Sequence, residues 1–214
     1  MNPFGICTWG DEAECEGCEL RGRLNCRWSR EALLAFIALI IPFAVVGVPG
    51  MYVAGVVTRQ WLPQAGFAAF IFVFFTALEA RLLCRHCPFY ARTGFFIRCY
   101  ANHGLPKLWG FQPEPANRWE KGALVLCFAV IGVAPVLIEL NGLAYLHGYM
   151  ARLAYSGLII ATFFAIVSGF ARLGLKFCPR CVNFSCPFNM VSRELREKFL
   201  DRNPVLRAAW SSLD

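Results

Sequence analysis

Residues 32–57 read "ALLAFIALIIPFAVVGVPGMYVAGVV", 26 positions without one charged side chain. About 20 apolar residues cross the hydrocarbon core of a bilayer, so this stretch is long enough to span one. Three more segments share its character. Leu62 to Leu83 meets its first charge at Glu79, a third stretch stays uncharged from Gly122 until Glu139, and a fourth runs from Leu153 to Ala171. Lipid offers no water to backbone N–H and C=O groups, which makes helix the expected form of all four. The whole chain agrees: 57% of its residues are hydrophobic and only 16% charged, where soluble domains carry about 25%. The fold expected is an all-α integral membrane protein, a four-transmembrane-helix bundle made of two hairpins, residues 32–83 and 122–175. Residues 1–31 lack the short basic opening of a secretory signal, so this segment is expected to remain attached.

Lysine and arginine orient the bundle. Nineteen of the 21 lie before the first span, in the second connection with its approaches, or in the tail; only Arg59 and Arg152 lie elsewhere. The positive-inside rule therefore places both termini and the connection 84–121 in the cytoplasm, with the protein in the cell's inner membrane. The net charge of +7 is then a topology signal. No nucleic-acid partner is expected, because the basic residues are scattered over three segments and form no single face.

The cysteines segregate with that topology. Cys7, Cys15, Cys18 and Cys26 precede the first span; Cys84, Cys87 and Cys99 follow the second; Cys178, Cys181 and Cys186 follow the fourth. Only Cys127 lies within a span. Thiols in a reducing compartment seldom form a disulfide framework, and clustered C-x-x-C pairs there point to metal ligands or catalytic dithiols. The spacing has a physical reason: one tight turn aims both sulfurs at one centre while its N–H groups face them.

Two stretches repeat. "ARLLCRHCPF" at 80–89 and "ARLGLKFCPRCVNF" at 171–184 each follow an even-numbered span. This reads as an internal duplication, with a cysteine-rich cytoplasmic cap built from residues 1–31, 84–121 and 176–214. If the second and fourth helices are neighbours, Cys84, Cys87, Cys178 and Cys181 form one four-sulfur site. Alternatively 84, 87, 99 and 178, 181, 186 are half-sites completed from the N-terminal segment, whose C-x7-C-x2-C-x7-C spacing can also close on itself.

Zinc and iron–sulfur clusters both accept four thiolates. Cys-Pro pairs at 87, 178 and 186, and the aromatic company of Phe89, Tyr90, Phe177, Phe184 and Phe188, favour iron–sulfur clusters of the 4Fe-4S kind. Zinc is the alternative, and a metal-free dithiol the third choice. No histidine lies inside a span, so b-type haem ligands are missing. Glu79, near the cytoplasmic boundary, is the expected quinone contact, whereas Glu139, with Asn141 and His147, reads as an interfacial polar end. No Gly-rich phosphate loop, Ser-His-Asp arrangement or H-E-x-x-H occurs. The functional expectation is a relay of electrons at the cytoplasmic face, between a soluble partner and a quinone or membrane partner subunit. A zinc-stabilised scaffold and a membrane thiol oxidoreductase are the alternatives.

Overall fold

Ser29 sits in extended backbone and its hydroxyl accepts the Ala32 N–H at 3.1 Å, which starts the first helix, α1 (Arg30–Ile37). In this computed structural model, which describes residues 2–211, α1 stops short and α2 (Ile41–Thr58) takes over. The helix expected over 32–57 is therefore present as two pieces of one span, joined by a turn at 38–40. Pro42 is the reason, since it has no N–H to offer the carbonyl of Ala38. Arg59, in left-handed backbone at φ 55°, ends α2. The second span comprises α3 (Leu62–Val73), a π-helical turn at Phe74–Leu78 and α4 (Glu79–Leu82). The third is α5 (Arg118–Tyr145), and the fourth is α6 (Tyr149–Arg172) followed by a second π-helical turn at Leu173–Phe177. Taken with their end turns, four helical segments of 25 to 32 residues are long and apolar enough to cross a membrane. Side chains such as Val45, Phe72, Leu126 and Phe164 stand exposed on them, as lipid-facing residues must. The chain is a multi-pass helical membrane protein.

Packing inside the bundle relies on small residues. α2, α5 and α6 pack on one another, and α3 leans mainly on α5. The second and fourth spans are thus not close neighbours along their length. A Cβ on Gly142 would stand 2.8 Å from Ala54, so the bare backbone is what lets α5 approach α2. Glu139 departs from expectation. It is fully buried where α2, α5 and α6 meet, six residues short of the end of α5, and not at an interface. Its Oε1 accepts the Thr162 hydroxyl at 3.0 Å, and a Cβ on Gly50 would come within 2.1 Å of that oxygen.

Outside the bundle, the N-terminal segment, residues 84–117 and the tail contribute to one buried core that includes Ile6, Leu20, Tyr90, Ile97, Tyr100 and Phe199. All three segments therefore lie on the same side of the bundle. In the tail, Ser192 caps α7 (Arg193–Asp201), and Pro204 opens α8 (Pro204–Ser211). Leu195, Phe199 and Leu200 form the buried side of α7, as their spacing predicts. A polar clamp joins this region to the helices. Glu120 completes a capping box with Asn117 and takes Arg81 at 2.8 Å and Arg85 at 2.9 Å. His86 is held by the same clamp, with Nδ1 at 2.6 Å from the Glu114 carbonyl and Nε2 accepting the Arg85 Nε–H at 3.3 Å. Both ring nitrogens of His86 are thereby engaged by protein groups.

Candidate metal centre

The two C-x-x-C ends of the membrane hairpins share one local design. In each, a π-helical turn precedes a single 3-10 turn, separated by five residues from Cys84–His86 and directly before Cys178–Arg180. The second cysteine closes the turn, its N–H donating to the carbonyl of the first at 2.9 Å for Cys87 and 3.4 Å for Cys181. π turns inside helices recur at functional sites. Although α3 and α6 diverge, these ends meet. Asn183 donates its amide to the Leu83 carbonyl at 3.1 Å, and Asn25 of the N-terminal segment donates its N–H to Arg180 at 2.7 Å.

Six sulfurs gather there. Burial pushes the Cys87 thiol well up, reinforced by Cys181, Cys99 and Cys186 beside it. Burial raises Cys186 to about 12, with Cys181, Cys178 and Glu79 as charged neighbours, and Cys99 to about 11. Beside four of the six, the backbone N–H two residues further on works against that rise: Phe89 at Cys87, Ala101 at Cys99, Asn183 at Cys181 and Phe188 at Cys186. The repeated Cys-Pro-Phe at 87–89 and 186–188 supplies two of these. Tyr100 adds its hydroxyl to Cys181, and Asn102 donates its N–H to Cys99 and its side-chain amide to Cys84, both at 3.0 Å. Such donors stabilise thiolate, the form that binds metal.

The N-terminal four make a separate group. Burial raises Cys26 to about 12, and the nearness of Cys7, Cys18 and Cys15 adds to the rise. Cys7 is raised too, chiefly by burial, and opposed by the Asn203 amide that donates to its sulfur at 3.3 Å. Asn203 also accepts the Cys7 N–H at 2.8 Å, so the tail holds this loop in place. Arg27 reaches the Cys15 sulfur at 3.5 Å. The tertiary structure thus divides the ten cysteines into four and six. Cys127 stands apart on α5.

Glu79 is buried within the six-cysteine group. Asn102 hydrogen-bonds its carboxyl, and one carboxyl oxygen has no partner. Asn102, Tyr100, Asn203 and Arg27 escaped sequence reasoning. Only the position of Asn102, three residues after Cys99, hinted at an N–H directed to a sulfur. Among the described residues, no three Cys, His, Asp or Glu side chains converge closely enough to hold a single metal ion. The group does bring six sulfurs together with the Asn102 donors and the Phe89, Tyr100 and Phe177 rings beside them.

Fold and site together define a multi-pass helical membrane protein with two thiol groups packed beneath one set of helix ends. Comparison with known families, with curated proteins and with solved structures finds no match to this chain.

Proposed function

We propose that the protein is a membrane-bound iron–sulfur protein that relays electrons between a soluble partner and a quinone or membrane partner subunit. The observation that carries this reading is the gathering of six sulfurs from two distant connections, with Asn102 donating to both Cys84 and Cys99. Among the six, Cys84, Cys87, Cys178 and Cys181 are our first choice of ligands, with Cys99 and Cys186 beside them. Cys7, Cys15, Cys18 and Cys26 are the choice for a second centre. A 4Fe-4S cluster spreads its four thiolates over a wider tetrahedron than one zinc ion with its Zn–S bonds of about 2.3 Å.

When bound, an iron–sulfur cluster takes up and gives back an electron at a potential set by burial, charge and hydrogen bonds to sulfur. The chain supplies those controls. The Phe89, Tyr100 and Phe177 rings exclude water, and the N–H donors and the Tyr100 hydroxyl offset negative charge on the sulfurs. Glu79, linked through Asn102 to the Cys84 and Cys99 sulfurs, is the polar group that faces them from the second span. We read the three extramembrane segments as a cysteine-rich cytoplasmic cap and the two hairpins as a duplication. The shared π turn and 3-10 turn at each C-x-x-C end support the duplication.

The test is anaerobic purification from an iron-replete host. Visible absorbance that bleaches with dithionite and returns with an oxidised quinone analogue is expected, with iron and acid-labile sulfide in the protein. A colourless protein holding only zinc sinks the relay and leaves a scaffold. Orientation is tested separately: a cysteine replacing Arg59 should react with an impermeant reagent outside intact cells, and one replacing Arg180 should not.

A further inference from the structure

A cavity of about 480 Å³ opens between the N-terminal segment and the central connection. Arg27, Arg92 and Arg98 line it, against one carboxylate, Glu12, whose side chain is 89% exposed and lies 3.8 Å from Arg27. Arg92 lies over the Trp9 ring at 5.1 Å and Arg98 over the Trp28 ring at 4.7 Å. Neither forms an ion pair among the described residues. Stacking on an indole holds a guanidinium in place and leaves its N–H edge available.

Two buried groups at this cavity lack partners. The hydroxyl of Thr8, a residue 2% exposed, and the Trp28 indole N–H are both shut off from solvent and unpaired. A buried donor without an acceptor is unfavourable, and native structures seldom leave one without a reason. Here both lie on the wall of a cavity already lined by three cations.

We propose that this cavity binds a phosphate group. Arg27 is largely engaged by the Asp11 and Gly10 carbonyls and the Cys15 sulfur. The Arg92 and Arg98 guanidiniums, a hydroxyl and an indole N–H still offer more donors than the two oxygens of a carboxylate accept, whereas phosphate has oxygens enough for all of them. Trp28 directly precedes Ser29, the cap of the first span, so the cavity lies where that helix enters the bilayer. The phosphate therefore comes either from an anionic phospholipid headgroup or from solution. Thr8, Arg27 and Trp28 belong to the N-terminal segment, and Arg92 and Arg98 to the connection. A bound phosphate thus ties the segment carrying four cysteines to the segment carrying Cys87 and Cys99. This inference stands independently of any metal.

The test follows the melting temperature of the delipidated protein. Inorganic phosphate and pyrophosphate are titrated at constant ionic strength, and nanodiscs of phosphatidylglycerol are compared with nanodiscs of phosphatidylcholine. A saturable rise is expected, with apparent affinity at least tenfold weaker in the Arg92→Gln, Arg98→Gln double variant. A response to the soluble anions assigns the phosphate to solution; a response confined to phosphatidylglycerol assigns it to lipid. Thr8→Val checks the site without removing charge. It should leave the ligand-free protein at least as stable, because an unpaired hydroxyl is gone, yet weaken phosphate binding several-fold. If the double variant does not fold, Thr8→Val decides. No saturable response to any of these probes, or a response unchanged in Thr8→Val, overturns the proposal.

Discussion

The side-chain amide of Asn102 donates to the Cys84 sulfur across 3.0 Å while its own backbone N–H donates to Cys99 at the same distance. One residue thus links sulfurs from the end of the second span and from the middle of the connection. Asn102→Ala removes only the side-chain donor. With a redox centre bound, loss of a donor to sulfur disfavours the more negative, reduced state. The midpoint potential should fall by on the order of 50 mV, about 1 kcal/mol of hydrogen bonding for one electron. Potentiometric titration measures it, and an unchanged potential at full iron content would refute the control assigned to Asn102.

The division of the cysteines into four and six is open to a chemical count. Cys26→Ser should lower metal content by one centre and leave the spectrum of the other intact. Cys87→Ser or Cys181→Ser should remove the second and lower protein yield, since ligation free energy is folding free energy. Cys127→Ser should change neither. Loss of both centres from Cys26→Ser alone would mean that the two groups share ligands.

Without metal, the raised thiols give a pH signature. Cys26 and Cys186 are pushed from about 9 to about 12 and Cys99 to about 11, chiefly by burial. Below pH 9 these thiols are protonated in both folded and unfolded chains and contribute nothing. As pH rises past 9 the unfolded chain releases their protons first, so it binds fewer protons and stability falls. Metal-free protein should therefore melt at progressively lower temperature between about pH 9 and 12, and Cys26→Ser should flatten that decline.

Glu120 holds the cysteine side of the bundle together. Its carboxylate, 10% exposed, accepts both Arg81 and Arg85 and completes the cap of α5. Glu120→Ala takes the carboxylate from two guanidiniums and opens the cap, at a cost of roughly 2–3 kcal/mol after allowing for the partly exposed Arg81. Glu120→Gln keeps the cap and should lose about half of that. Melting in detergent checks both, and equal losses would show that charge has no part in the effect.

Gly50 and Glu139 are coupled by space alone. A methyl on Gly50 would stand 2.1 Å from the Glu139 carboxyl, so Gly50→Ala must displace that side chain, at a cost of about 1–3 kcal/mol. Glu139→Ala should relieve the clash. The double variant should therefore be more stable than the sum of the single changes allows. Strict additivity would show that the carboxyl does not rest on Gly50.

The four apolar runs and the caps at Ser29, Ser192 and Asn117 belong to local physics. A span declares itself by length without charge, and a cap by a side chain that can reach its own helix. Pro42 carried its break in the sequence as well, through the missing N–H. What the chain alone did not decide were the meetings between distant segments. Cys26 joins Cys7 and not Cys84, Asn102 serves two sulfurs, Asn203 reaches back to Cys7, and Glu139 lies among three helices instead of at their ends. Each depends on how the bundle brings together residues far apart in the chain. The spacing of C-x-x-C fixes a turn, but which turns come together depends on the packing of α2, α5 and α6 on one another with α3 on α5, which keeps the helical bodies of the second and fourth spans apart and leaves their cysteine-bearing ends to meet.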